Sequence, residues 1–275
     1  MRLGLSTPVV IQQPGIASPW EADAGPADLA VIAAAADSLG FHHLTCSEHV
    51  GIPAAAADTR GSVYWDPLAT LSFLAAHTRR IRLTTSVLVL GYHHPVALAK
   101  RYGTLDRLSG GRTILGVGVG SLREEFELLG AEWADRGAEA DAALRRLRSA
   151  WGRPVVDGLA IQPHATTTDL TAWVGGRTLR SLRRAVELGD GWMPFGLSPE
   201  TIAGYLARYP APTGFDVVLS TGRACDPLGD AAGTRGQLER LRDAGATLAT
   251  CVLRADNRDH YLDQLSALHE IGHPL

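Results

Sequence analysis

A carboxylate and an imidazole stand next to each other in the stretch Ser47-Glu48-His49, directly after an apolar, β-branched run. An imidazole gains and loses a proton near neutral pH. His49 is therefore a candidate proton donor or acceptor, and the neighbouring Glu48 is the group expected to tune it. The same residues also fit a surface-loop histidine with no chemical role. Taken alone, they favour neither interpretation.

Glycines are concentrated in the segment Gly116-Val-Gly118-Val-Gly120-Ser121, which precedes an acidic helix start, Arg123-Glu124-Glu125. The spacing approaches the dinucleotide-binding fingerprint GxGxxG. The match fails because Ser121 stands where the last glycine is required and because the segment follows the fourth predicted strand rather than the first. The glycines instead favour close approach of a flat ring or a phosphate to the backbone.

A second glycine pair lies in Gly175-Gly176-Arg177-Thr178, between a predicted strand and a predicted helix. Free N–H groups at a helix N-terminus, the helix dipole and an arginine together form a phosphate-binding arrangement. The alternative is a tight turn in which Arg177 is only solvated. The sequence therefore predicts phosphate binding at Gly175, Gly176, Arg177 and Thr178.

These residues lie at the ends of predicted strands. The chain alternates short β-rich runs with longer helical runs, and the predicted strands are 2–7, 43–47, 81–90, 113–119, 172–175, 191–195, 216–221 and 248–253. The predicted helices between them are 27–39, 68–77, 95–108, 138–151, 178–188, 199–208, 235–244 and 258–271. Several strands are continuous apolar runs, which is typical of parallel sheets buried on both faces.

Eight such units in 275 residues, about 34 residues each, predict a single α/β domain over residues 1–275 with the (β/α)8 TIM-barrel fold. A doubly wound sheet is the alternative, although one ligand site on such a sheet needs fewer strands. In a barrel the loops that follow the strands gather at the C-terminal mouth, where enzymes of this fold carry their active sites. All the candidate residues above are expected there.

The composition excludes several classes of protein. The net charge is −3, and Lys and Arg are dispersed along the sequence. The sequence therefore has no basic cluster that would indicate binding to nucleic acid or to a membrane surface. No apolar run is long enough for a membrane span, and we expect no signal segment, because the first residues already form a strand. Cys46, Cys225 and Cys251 form no CxxC pair, so reduced thiols in the cytoplasm are expected. No spaced His/Cys set predicts a metal site.

Several blocks together resemble the luciferase-like monooxygenase superfamily, and more closely its branch that uses the 5-deazaflavin coenzyme F420. The blocks are 78–90, 94–96, 105–112, 116–121 with 123–126, 173–177 and 188–194. The resemblance is firm over about residues 1–205 and looser beyond. It departs from the family between 153 and about 170, where the insertion before the fifth strand is shortened.

The resemblance implies a TIM barrel with a flavin-type ring at its mouth. It implies a cis peptide bond between Ser86 and Val87, inside a bulge that presses on the ring. It assigns Gly175, Gly176 and Arg177 to a phosphate loop, places His49 of the Glu48-His49 pair by the reactive ring, and makes Gly118, Gly120 and Ser121 line the ring and its side chain.

The function implied is hydride transfer between reduced F420 and a C=C, C=N or C=O group, or the reverse reaction with an alcohol, with His49 moving the proton. One alternative is a monooxygenase that uses O2 and reduced FMN from a separate flavin reductase. A second is a barrel that binds a flavin without turnover. The expected partners are a small-molecule substrate and, in a homodimer, a second copy of the chain.

Overall fold

The computed structural model describes residues 1–272. Eight strands run parallel, and each pairs with its neighbours in chain order. They are β1 (Arg2–Ser6), β2 (His43–Cys46), β3 (Arg82–Thr85, continued by Leu88–Val89), β4 (Thr113–Gly118), β5 (Ala172–Gly176), β6 (Gly191–Pro194), β7 (Asp216–Cys225) and β8 (Leu248–Leu253). The sheet closes because β8 also pairs with β1, and β3 with β4. The predicted (β/α)8 barrel is confirmed.

Helices surround the barrel. The longer ones are α1 (Pro26–Leu39), α2 (Pro67–His77), α3 (Pro95–Ser109), α4 (Arg123–Leu129), α5 (Arg136–Ala150), α6 (Leu179–Leu188), α7 (Pro199–Arg208), α8 (Ala231–Asp243) and α9 (Arg258–Gly272). Helix α2 begins one residue before the predicted start, with the Asp66 carboxylate accepting a hydrogen bond from the N–H of Ala69 at 2.8 Å. Helix α8 begins four residues before the predicted start, because Asp230 caps it through the N–H of Gly233. No helix in the described residues is long and apolar enough to cross a bilayer.

The third strand differs from the single ten-residue strand expected over 81–90. It is interrupted at Ser86 and Val87, and the peptide bond between these residues is cis, as the resemblance implied. The first part, Arg82–Thr85, pairs with both β2 and β4, while the second, Leu88–Val89, pairs with the mouth end of β4. Within the described residues the strand therefore pairs with β2 only before the interruption.

Arg112, in one of the blocks that carried the family resemblance, has a structural role. Its buried guanidinium donates hydrogen bonds to the carbonyl oxygens of Ala75, Thr78, Ile81 and Ser109 at 2.7 to 3.1 Å. These carbonyls lie at the end of α2, at the start of β3 and at the end of α3. The residue thus satisfies the unpaired carbonyls of two helix ends, on the side of the barrel away from the mouth.

The interior of the barrel is apolar on one side and polar on the other. Strands β4 to β8 contribute a buried apolar cluster of Ile114, Trp173, Met193, Val218 and Leu248. Strand β2 instead places His43, which is fully buried, beside the backbone of Gly4 on β1, where a Cβ atom would lie only 2.2 Å from the imidazole. The polar side holds the two adjacent histidines, His42 and His43.

These two histidines predict a dependence of stability on pH. Burial, with a contribution from the cations Arg2 and Arg82, lowers the pKa of His42 to about 4, and burial also lowers the pKa of His43. In the unfolded chain both rings titrate near their ordinary pKa, about 6.5. Below that pH the unfolded state therefore binds protons that the folded state does not, and the stabilisation present at higher pH is lost towards pH 4.

We expect the free energy of unfolding to fall by about 1.4 kcal/mol per pH unit for each imidazole between about pH 6 and pH 5. Urea unfolding across this range measures the slope. His42→Gln removes one of the two groups and should reduce the slope, whereas His94→Gln, at an exposed histidine, should leave it unchanged. An unaltered slope in His42→Gln would contradict the assignment.

Candidate functional site

The predicted site residues meet at one end of the barrel. Because all strands are parallel, the segments that follow β2, β3, β4 and β5 emerge on the same side, which we call the mouth. Glu48 and His49 follow β2, the Ser86–Val87 peptide interrupts β3, Gly118 ends β4, and Gly175 lies in β5. The positions of these residues agree with the prediction, while their contacts with a cofactor stay a prediction.

His49 is held by Glu125 of α4. Its Nδ1 atom lies 2.9 Å from Oε2 of Glu125, and the side chains of the histidine and the glutamate are 22% and 2% exposed. The second oxygen of Glu125 accepts hydrogen bonds from the N–H groups of Val50 at 2.7 Å and Gly51 at 3.3 Å. One carboxylate thus fixes both the imidazole and the loop that carries it.

The charge state of Glu125 determines which nitrogen of His49 can do chemistry. Burial by itself would raise the pKa of this carboxyl, but the hydrogen bond and charge of His49 and the N–H groups of Val50 and Gly51 outweigh it and lower the pKa. Tyr92 also donates to Oε2, at 3.0 Å. An ionised carboxylate only accepts, so Nδ1 of His49 carries a proton, and Nε2 is the atom free to take up or release one.

The expected pairing of Glu48 with His49 is wrong. Glu48 accepts hydrogen bonds from the N–H of Val89 at 2.7 Å, in the second part of β3, and from Nε2 of His93 at 2.6 Å. Glu48 and His49 lie in the segment after β2, and each side chain contacts a different partner. Glu48 therefore positions the interrupted third strand, and the partner of His49 comes from helix α4, which follows β4.

Aromatic rings enclose one side of His49. The ring of Tyr64 stands edge-on to the imidazole, with 4.5 Å between the centroids. Tyr92 packs edge-on against Phe126 of α4, with centroids 4.9 Å apart. The contact with Tyr64 restricts the rotation of the imidazole. The contact with Phe126 holds Tyr92, whose hydroxyl donates to Glu125.

Val87 fills the space beside two of the predicted glycines. A Cβ atom on Gly118 would lie 2.7 Å from one methyl group of Val87, and one on Gly175 would lie 3.0 Å from the other. These positions on β4 and β5 must lack a side chain for the bulge of β3 to pack between them. Protein packing therefore accounts for part of the glycine pattern that we had ascribed to a ring or phosphate.

The loop after β4 carries the remaining predicted lining residues. Gly120 has a φ of +81°, and a Cβ atom there would lie 2.4 Å from the ring of Phe126. Ser121 is exposed on the surface of this loop. Both residues lie at the mouth, and their contact with a cofactor stays a prediction.

The end of β5 fits a phosphate group. Thr178 is the N-cap of α6, and its hydroxyl accepts from the N–H of Ser181 at 3.4 Å, so this hydroxyl is occupied in capping. Arg177 is exposed, has no carboxylate partner among residues 1–272, and lies 5.7 Å from the ring centroid of Phe195. An unpaired guanidinium beside the N-terminus of a ten-residue helix is a donor set that can bind a phosphate group.

A profile of the luciferase-like monooxygenase family matches residues 1–232. The chain belongs to this family. Its relative 4-hydroxyprotoasukamycin monooxygenase, from Streptomyces nodosus subsp. asukaensis, is 32% identical over 247 residues, which cover 83% of this chain and 59% of that protein. The matched part is thus less than two thirds of the relative's length. The family resemblance seen in the sequence is confirmed.

Solved structures of two enzymes share the fold. The monooxygenase RslO1 from Streptomyces bottropensis superimposes with a TM-score of 0.78 at 21% identity, covering 100% of this chain and 99% of that one. An F420-dependent secondary alcohol dehydrogenase, in complex with an F420-acetone adduct, superimposes with a TM-score of 0.72 at 15% identity, covering 97% and 98%. At these identities the similarity establishes the architecture and not the reaction.

The residues of the site to which the sequence assigned no role are Glu125, Tyr64 and Tyr92. A signal for Glu125 was present, because the segment Arg123–Phe126 directly follows the fourth strand and was one of the blocks that carried the resemblance. The sequence does not predict that Glu125 pairs with His49, because 76 residues separate the two.

Proposed function

We propose that this luciferase-like protein is an oxidoreductase that transfers a hydride between coenzyme F420 and a small organic substrate. The acceptor is a C=O, C=C or C=N group, or the donor is an alcohol, and His49 moves the accompanying proton. The observation that carries the proposal is the imidazole of His49, fixed at Nδ1 by the ionised Glu125 and without a hydrogen bond to Nε2 among residues 1–272. A family neighbour that uses F420 supports the cofactor.

The chain's own residues account for the proton. A carbonyl oxygen that gains an electron pair needs one proton, and Nε2–H of protonated His49 delivers it, which returns the ring to the neutral form. In the opposite direction the neutral Nε2 accepts the alcohol proton. Because the side chain is 22% exposed, solvent exchanges protons with it between turnovers. Reduced F420, when bound, supplies the hydride.

A second candidate is a monooxygenase that uses O2 and reduced FMN from a separate flavin reductase. The relative at 32% identity, which is a monooxygenase, favours this candidate. The His49–Glu125 pair serves either reaction. A barrel that binds a flavin without turnover is the third candidate, and the buried carboxylate that fixes Nδ1 of His49 argues against it.

Parallel titrations with F420 and FMN separate the candidates. The purified protein is titrated with each cofactor in oxidised and reduced form, and loaded protein is then mixed with secondary alcohols, ketones and enones without oxygen. We expect tighter binding of F420 and absorbance changes of the deazaflavin on substrate addition. Preference for FMN, with substrate oxidation only when O2 is present, would establish the monooxygenase instead. Binding of neither cofactor would overturn the proposal.

Arg177 is the proposed anchor for the cofactor phosphate, together with the N–H groups of Gly176 and Thr178. A charge-assisted hydrogen bond contributes about 1.5–3 kcal/mol, so we expect Arg177→Ala to weaken cofactor binding roughly ten- to a hundredfold. Arg180→Ala, which removes an exposed arginine within the first turn of α6, is the matched control and should bind normally. An equal dissociation constant in wild type and Arg177→Ala would show that the arginine is only solvated.

The compartment and the assembly are part of the same proposal. Cys46, Cys225 and Cys251 are buried free thiols, which supports a reducing compartment, the cytoplasm. The proposed partners are the small-molecule substrate, a second copy of the chain in a homodimer and, if FMN is the cofactor, a flavin reductase. Sedimentation of the loaded protein tests the homodimer.

A further inference from the structure

Two hydroxyl groups on neighbouring strands lie beneath the mouth. Ser220 of β7 and Thr250 of β8 are paired in register. Two residues earlier on each strand, Val218 and Leu248 belong to the apolar cluster inside the barrel, so Ser220 and Thr250 also face the interior. We call Ser220 and Thr250 the floor pair.

The mouth extends down to the floor pair. Ser220 is exposed although it faces the inside of the barrel, and Thr250 keeps 8% of its surface accessible at the same level. The register of β7 shifts between Ser220 and Ala224, directly above this position. A molecule in the mouth can therefore reach both hydroxyls.

A chain of hydrogen bonds fixes the hydroxyl of Thr250 as a donor. Arg2 can only donate, so Nε2 of His42, 3.1 Å from its guanidinium, accepts and the proton of this ring lies on Nδ1. That proton is donated to Nδ1 of His43 at 3.1 Å, which leaves the proton of His43 on Nε2. His43 then donates to Oγ1 of Thr250 at 2.8 Å.

Both floor hydroxyls thus have their proton available. His43 occupies an acceptor position on Thr250, and the N–H of Gly222 occupies one on Ser220 at 3.1 Å. Within residues 1–272 neither hydroxyl donates to a protein acceptor. Two donors side by side on the inner face of neighbouring strands are complementary to an oxygen that only accepts.

We propose that Ser220 and Thr250 form a subsite for an acceptor oxygen, a carbonyl or a carboxylate, of the molecule bound in the mouth. The inference deepens the proposed function and rests on it, because it requires a ligand in the mouth. The oxygen comes either from a ring carbonyl of the cofactor or from the substrate, and both sources present the same chemistry to the two hydroxyls. The proton assignment leaves each hydroxyl with its O–H free to donate, which favours an acceptor oxygen at this position.

The test uses Ser220→Ala and Thr250→Val, with Thr250→Ser as the variant that keeps the hydroxyl and Ser266→Ala as the control. Ser266 lies on α9 and donates to the carbonyl of Leu262, outside the barrel. Each protein is titrated with F420 and FMN, the absorption maximum of the bound cofactor is recorded, and KM is measured with substrates found for the wild type. A lost neutral hydrogen bond weakens binding about two- to tenfold.

Each outcome either shows whether the oxygen belongs to the cofactor or to the substrate, or contradicts the subsite. A weaker cofactor affinity with a shifted absorption maximum identifies a ring carbonyl, and a raised KM with unchanged cofactor affinity identifies a substrate oxygen. Unaltered affinity, spectrum and KM in Ser220→Ala overturn the subsite while leaving the proposed function intact. A wild type that binds neither cofactor overturns both. Thr250→Val leaves a buried N–H of His43 unpaired. If the Thr250→Val protein does not fold, Ser220→Ala provides the test.

Discussion

Replacing His49 by alanine should lower kcat by about a hundred- to ten-thousandfold, while the dissociation constant of the cofactor changes far less. A positioned acid–base group contributes this factor to the rate, because without it the proton must come from unoriented water. The imidazole lies on the loop after β2, whereas the proposed anchor of the cofactor lies after β5. Binding and proton transfer are therefore separable in one variant.

The measurement combines a cofactor titration with steady-state kinetics on the same preparation. His94→Ala is the matched control, since His94 is an exposed histidine in the segment after β3, and it should retain wild-type kcat. If affinity and kcat of His49→Ala fall together, His49 is a cofactor ligand or is needed for folding. If neither falls, the proton has another source, and the role given to His49 is wrong.

Replacing Glu125 by glutamine should lower kcat by about a hundredfold. Both oxygens of the carboxylate are occupied by donors, His49 and Tyr92 on one side and the N–H groups of Val50 and Gly51 on the other. An amide must place its NH2 group against one of these sets. The most readily rearranged set contains His49, whose ring would then move its proton from Nδ1 to Nε2 and lose the ability to act as a base.

Glu125 is a positioning residue. A loss of kcat without a change in KM or cofactor affinity therefore distinguishes its variant from one that has lost substrate or cofactor binding. We expect Glu125→Gln to lower kcat with little change in KM or cofactor affinity, and to reduce the free energy of unfolding by about 1–3 kcal/mol, since a buried donor loses its acceptor. Glu124→Gln changes the exposed neighbour on α4 and should behave as wild type. A folded Glu125→Gln protein with normal kcat would show that the orientation of His49 does not depend on this carboxylate.

The sequence by itself predicted the barrel and the position of its mouth. Alternating apolar runs and helices with readable ends are local patterns, and the pairing of neighbouring strands in a parallel barrel follows from their order. Strand β8 begins and ends where the pattern placed it, and most other strand ends differ by one residue. The cis peptide bond of the third strand required the family resemblance, because a continuous apolar run does not show where its pairing is interrupted.

Only the tertiary structure decided which polar groups meet. The sequence placed Glu48 beside His49, but the barrel pairs Glu48 with His93 and His49 with Glu125, across 45 and 76 residues of chain. It likewise brings Arg2, His42, His43 and Thr250 into one hydrogen-bonded chain from four positions that no motif connects. Such pairings depend on the direction in which each side chain projects and on the distance between strands across the barrel. Both are set only when the sheet closes between β8 and β1.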